Sequence, residues 1–308
     1  MIDFKQVELS DKAWIDSLLR LSDYRGAEYC FTNLYVWRLV YRTRIARLQD
    51  WLLIRIGSPE HPTDIFPAGQ GRLKALIDLL MDEALREGRD FKMAGIGAAQ
   101  AADLQQLYPE LFEMNPARDY WDYVYKVEDL SDLRGKHYQP KRNHIARFAE
   151  QPDWSYERLD AHNIPECVAM NREWCLQMGC IGNDSLGKEA CAAETGLQHF
   201  DALQLEGGLL RLGGKVVAYT VGEPLNSDTY IVHVEKAFPD IRGAYQMINR
   251  AFVRDRMASF AHVNREDDAG DLGLRTAKTT YRPVFMQEKY FFTVPYTSLS
   301  HFVQKDEE

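Results

Sequence analysis

The sequence predicts an α/β chain of the α+β kind, built from two domains, each a mixed and mostly antiparallel sheet flanked by helices. Three observations carry this expectation. The chain has 308 residues, which leaves room for two domains of about 150 residues each. Segments with apolar residues at helical spacing alternate with short β-branched runs, the pattern of mixed architecture. Residues 208–237 hold three strand-like runs separated by tight turns, which reads as an antiparallel meander.

The first domain, residues 1–125, opens with a helix over Asp11–Leu21, where Trp14, Leu18 and Leu21 form one stripe. The aromatic-rich segment 28–42 carries a second helix, and WLLIRI at 51–56 is a strand. Glycine and proline punctuate 57–71, which reads as a loop. Leu73, Leu76, Ile77, Leu80 and Ala84 then mark an amphipathic helix. Phe91–Ile96 is a strand, Ala98–Tyr108 a helix and Asp122–Val127 another strand.

In the second domain, residues 126–308, Ile164, Cys167, Asn171, Cys175 and Met178 recur at helical spacing behind Asn163, a suitable N-cap. Ala193, Leu197, Phe200 and Leu203 mark the next helix. The meander follows, turning at Gly213-Gly214 and at Asn226-Ser227-Asp228. The loop FPDIRG leads into a helix from Ala244 to about Met257. Phe260–Glu266 reads as a strand, Asp271–Thr280 as a helix and Val284–Thr293 as the last strand.

Composition narrows the function classes. The five cysteines, Cys30, Cys167, Cys175, Cys180 and Cys191, form no tight C-x-x-C pair. Their odd number and irregular spacing point to core thiols in a reducing, cytoplasmic compartment. The opening segment lacks a signal peptide's charged and apolar regions. No apolar run approaches the roughly 20 residues of a membrane span. The net charge of -9 excludes polyanion binding by the whole surface, so any such contact needs a local basic patch. The segment 134–147 is such a patch, with Arg134, Lys136, His137, Lys141, Arg142, His144 and Arg147. It is either a phosphate site, with Lys141, Arg142 and Asn143 at its centre, or a solvated helix face.

Other residues carry chemistry by type and spacing. Arg242, Gly243 and Ala244 stand where a loop opens a helix, and free N–H groups there favour an anion. Glu266, Asp267 and Asp268 crowd a strand-to-helix turn beside Asn264. They suit either helix capping or recognition of a cationic amino group. Their spacing does not match a calcium loop, and no metal is expected. His233 and Glu235 are two apart on one strand, so the period of two puts them on one face as a general-base pair or a buried structural pair. Lys278 falls in the last turn of a helix that Pro283 forces to stop by Tyr281, where a cation offsets the helix dipole. No H-E-x-x-H, G-x-S-x-G or P-loop motif occurs, so metalloprotease, α/β-hydrolase and P-loop kinase readings lack support.

The element order resembles the GNAT acyltransferase fold, in which a glycine-containing loop between strand and helix receives a pyrophosphate. The adjacent Arg242 and Gly243 depart from that fold's usual Arg/Gln-x-x-Gly-x-Gly/Ala loop. The stretches DYVYKVEDLSDLRGKHYQPKRNHIARF (122–148), HVEKAFPDIRGAYQMINRAF (233–252) and NREDDAGDLGLRTAKTTYRP (264–283), with SDYRGAEYCFTNLYVWR near the start, look like a bacterial family grouped with the C-terminal domain of phosphatidylglycerol lysyltransferase. The resemblance implies tandem GNAT-like domains related to Fem-type transferases. It implies an aminoacyl or acyl transferase moving an activated group, from aminoacyl-tRNA, to an amine or hydroxyl. The acceptor would be a small molecule or a lipid headgroup, the tRNA would meet the basic patch, and no cofactor would be tightly bound. It also assigns Lys278 and Tyr281 to the transfer site, where the His233 and Glu235 read from the strand would act as the general-base pair. Two other readings stay open: an acyl-CoA-dependent N-acetyltransferase, and a non-catalytic protein binding tRNA or a metabolite.

Overall fold

A computed structural model describes residues 2–300. The chain divides into two compact units, one running up to Trp121 and resuming at Gln287, the other covering Asp122–Met286. The sequence reading places a single cut at 125/126.

The first unit runs β1 (Lys5–Gln6), α1 (Lys12–Ser22), α2 (Phe31–Val36), β2 (Arg44–Leu48), β3 (Trp51–Ile56), β4 (Thr63–Gly69), α3 (Leu73–Arg86), β5 (Phe91–Ile96), α4 (Ala98–Leu107) and β6 (Asn115–Pro116). The second runs β7 (Asp122–Lys126), α5 (Val127–Asp132), α6 (Gln139–Ala149), β8 (Trp154–Arg158), α7 (Ile164–Gln177), α8 (Asp184–Gln198) and α9 (Phe200–Leu203). It continues with β9 (Glu206–Leu212), β10 (Lys215–Pro224), β11 (Thr229–Ala237), α10 (Ala244–Arg256), β12 (His262–Asn264), α11 (Leu272–Thr279) and β13 (Phe285–Gln287), and β14 (Tyr290–Val294) returns to the first unit.

Each unit holds a seven-stranded sheet, in the orders β1-β2-β3-β4-β5-β14-β6 and β13-β7-β12-β11-β10-β9-β8. The same step occurs in both: three antiparallel strands, a crossover helix, then a parallel strand. These steps are β2-β3-β4 with α3 and β5, and β9-β10-β11 with α10 and β12. A parallel neighbour needs a crossover, and a helix supplies it. The stretch expected as one last strand is divided, with β13 in the second sheet and β14 in the first.

The expected loop 57–71 contains β4, a strand buried through Asp64–Ala68. Proline within a strand argues against a central position. Here the register with β3 slips between Leu52 and Ile54, opposite Phe66 and Pro67, and an irregular ladder tolerates a residue with no N–H to give. The first unit's core gathers Phe66, Leu76, Leu80, Phe91, Met93, Phe112 and Phe292. Beside β4 lies a buried ion group, Arg55 with Asp64 at 2.6 Å and Glu83 at 2.9 Å.

Two sequence expectations about the cysteines change. Cys175 and Cys180 are disulfide-bonded across the end of α7, where Gly179 takes the left-handed conformation at φ 74 and folds the chain back. Cys191 is exposed rather than core. No helix among the described residues is long and apolar enough to cross a membrane.

Candidate functional site

The second sheet parts at its middle. β11 and β12 pair in parallel over only Thr229–Ile231 and His262–Asn264. β11 then runs on to Ala237 past the end of β12. Around this opening the side chains of β7, α6, α10 and residues 265–281 converge.

Arg265, the first residue after β12, reaches back to β11. Its Nη2 donates to Glu235 Oε1 at 2.7 Å, and Asn249 Nδ2 on α10 donates to the other carboxylate oxygen at 2.7 Å. The guanidinium lies 4.9 Å from the Tyr281 ring centroid and 5.7 Å from that of Tyr125. Lys141 on α6 sits 3.6 Å from the Tyr281 centroid and donates to Thr280 Oγ1 at 2.8 Å. Burial, and then the like charge of Arg265, push the Lys141 ammonium down to about 8, with Glu235 opposing. Burial raises the phenols of Tyr281 and Tyr125, so both rings stay neutral.

The loop before α10 is fixed by sterics. Gly243 has φ +88, and a Cβ there would lie 2.1 Å from the His144 carbonyl oxygen of α6. Only glycine accepts both conditions. The Ala244 N–H is engaged with Ile241 O at 3.2 Å, and the Gly243 carbonyl accepts from Met247 N at 2.9 Å. The Arg242 side chain is exposed. Burial lowers the His144 imidazole, and Arg242, Arg147 and Lys141 lower it further. Lys141, His144 and Arg147 recur every three residues on α6, so the basic patch has an ordered core.

Other expected site residues are placed differently. Arg142 binds the carbonyls of Leu133 and Gly135, the latter at 2.8 Å, and the side chain of Gln139, so it ties the turn before α6. Asn143 is exposed and accepts from Gln139 Nε2 at 2.8 Å. The Lys278 Nζ is buried on three carbonyls, Arg265 O at 2.8 Å, Glu266 O at 3.3 Å and Asp267 O. Its ammonium holds the 265–267 turn rather than only offsetting its own helix end.

The acidic cluster is bonded within itself and to its neighbours. Asn264 is buried and donates to Asp122 Oδ2 at 3.0 Å. Asp267 accepts from Ala269 N at 2.9 Å. Buried Asp268 accepts from Tyr123 Oη at 2.6 Å and from Arg275 at 2.8 and 2.7 Å.

The pairing of His233 with Glu235 needs correction. Val221 faces Val234 and Gly222 faces Val232, leaving His233 as an extra residue in β11. Such a bulge breaks the period of two. His233 lies instead between Glu266, 2.9 Å from Nδ1, and Glu223, 3.1 Å from Nε2, while Glu235 serves Arg265 and Asn249. Sequence reasoning missed Arg265, Asn249 and Glu223. Arg265 is embedded in the NREDD run, whose carboxylates carry the stronger sequence signal.

Two mixed sheets flanked by helices, each built around the same βαβ step, define the class: a protein of two GNAT-like domains. The chain belongs to the phosphatidylglycerol lysyltransferase C-terminal family, whose profile matches residues 19–293. A conserved protein of unknown function from Bacteroides thetaiotaomicron is 40% identical, with 96% of this chain and 100% of that one covered and a TM-score of 0.90. L-PGS from Bacillus licheniformis is 12% identical over 96% of this chain and 94% of that one, TM-score 0.66, and shares the fold. An uncharacterized protein of Mycoplasmoides gallisepticum, MYCGA3080, is 26% identical over 180 residues, and the match spans just over half, 56%, of each chain.

Proposed function

We propose that the second unit transfers an activated aminoacyl or acyl group to an amine or hydroxyl at the opening between β11 and β12. The observation that carries this reading is the opening itself. It is a gap in a parallel strand pair, lined by Glu235, Arg265, Lys141 and Tyr281, in a chain whose family takes its name from a lysyltransferase. The donor's phosphates would run along Lys141, His144, Arg147 and Arg242. Attack on the carbonyl puts charge on its oxygen, and fixed donors beside the gap lower that barrier. Holding both reactants in the gap lowers it further. Lys278 contributes by holding the turn that aims Arg265. His233, held between Glu223 and Glu266, would serve as the general base in this reading.

The donor proposed is aminoacyl-tRNA, which the resemblance of the sequence to Fem-type transferases implies, with acyl-CoA as the alternative. The test incubates the full chain with tRNA charged with labelled amino acids, and separately with acyl-CoAs, beside a mixture of amines and lipid-headgroup alcohols. Label leaving the tRNA for an acceptor supports the reading. Thiol release from acyl-CoA alone replaces the donor. Binding of either donor without transfer makes the chain a binding protein.

A further inference from the structure

We infer that Lys141 and Arg265 together form a phosphate subsite at the open end of the β11/β12 pair, built around the ring of Tyr281. An ammonium offers three N–H donors and a guanidinium five. Among the described residues each of these cations makes a single hydrogen bond, Lys141 to Thr280 Oγ1 and Arg265 to Glu235. The Nη1 of Arg265 is buried with no hydrogen-bond partner. Buried donors are normally satisfied, so such an atom calls for an explanation.

Charge points the same way. Two cations face one carboxylate, and both Glu235 oxygens already accept, from Arg265 and from Asn249. The neighbouring aromatic groups cannot balance the excess, since burial keeps Tyr125 and Tyr281 protonated. Stacking against Tyr281 fixes both cationic heads at 3.6 and 4.9 Å from its centroid, which pre-organises them. Lys141 is only half-buried, so an anion has a way in beside it.

A phosphate fits better than a carboxylate because the positive charge continues outward through Arg147 and Arg242, which with Lys141 surround the imidazole of His144 and hold its pKa down. A ligand with several charges along a chain would use the whole track, with one phosphate seated at its inner end. Two sources share this chemistry: the pyrophosphate of a coenzyme A ester, and the phosphodiester at the 3′ end of an RNA. The inference deepens the transfer reading but is measured by binding alone, so each can fail without the other.

The test titrates the full chain with inorganic pyrophosphate, coenzyme A and a CCA trinucleotide at pH 7, followed by calorimetry. Saturable binding of at least one probe is expected, weakened tenfold or more by Lys141→Met and by Arg265→Gln. Arg265→Lys should restore part of the loss. Lys141 lies at the rim, so its variant remains informative if substitution of the more buried arginine prevents folding. The stronger of coenzyme A and the trinucleotide identifies the source. No binding by wild type, unchanged affinity in Lys141→Met, or acetate competing as well as phosphate would overturn the assignment. Phosphate binding without any transfer would sustain the subsite and remove the transferase.

Discussion

At the scale of single residues, the second unit rests on ionised groups whose pKa values folding has moved. Burial would raise the Asp268 carboxyl, but the bonds from Arg275 and Tyr123 outweigh it and hold it at about 2, against an ordinary 3.8. The folded state therefore binds the proton less readily than the unfolded chain. The stabilisation is complete above about pH 4 and is lost as pH falls toward 2. Asp268→Asn should cost roughly 1.5–3 kcal/mol at pH 7, the scale of hydrogen bonds to charged groups. Urea unfolding from pH 7 to pH 3 should show wild type and variant converging. Lys141 has the opposite sign. Its pKa is lowered to about 8 from 10.5, so the charged form is penalised in the fold. That penalty is fully present below about pH 8 and is relieved as pH rises toward 10.5. Wild type should gain stability relative to Lys141→Met across that window, as melting temperatures at pH 7.5 and pH 10 would show.

At the scale of elements, a loop and a bulge decide where the site sits. Gly243 combines a left-handed φ with backbone contact to α6. Gly243→Ala should destabilise the second unit by at least about 1–3 kcal/mol, the range for a strained backbone, and move the Arg242 loop. Loss of phosphate-probe affinity together with a lower melting temperature is the expected result. The meander, α10 and the helices α3 and α7 were legible in the sequence, because each has a plain period and a clear turn or cap. The strand β4 was not, since a proline at a register slip looks like a loop. The His233–Glu235 pairing failed for a related reason. A bulge is a tertiary event with no local signature, and one extra residue inverts every argument from alternation. Arg265 could not be ranked above its acidic neighbours, because what separates them is contact with Glu235 and Tyr281, residues 30 and 16 positions away.

At the scale of the whole molecule, the chain leaves the first sheet to build the second from β7 onward and comes back to the first only at β14. β7 lies between β12 and β13, and β14 lies between β5 and β6. β14 supplies Phe292, stacked on Phe112 at 4.2 Å and tilted against Phe91 at 5.5 Å. Phe292→Ala should cost the first unit about 3–5 kcal/mol, the usual loss for a buried phenylalanine. Hydrogen exchange should show protection falling in β4 and β5, with the amides of β9–β11 unchanged. Equal loss of protection in both sheets would show that they unfold as one.

The late return of β14 also fixes an order of events on the ribosome. Every strand of the second sheet precedes β14 in the chain, so that sheet can close while the first still lacks a member. Until residues 290–294 emerge, β5 stands with a bare hydrogen-bonding edge and Phe91 and Phe112 lack their partner. Open edges with exposed aromatic surface recruit other chains. The half synthesised first is thus the half that waits, and the nascent chain is most in need of protection in the interval between completion of the second sheet and emergence of residues 290–294.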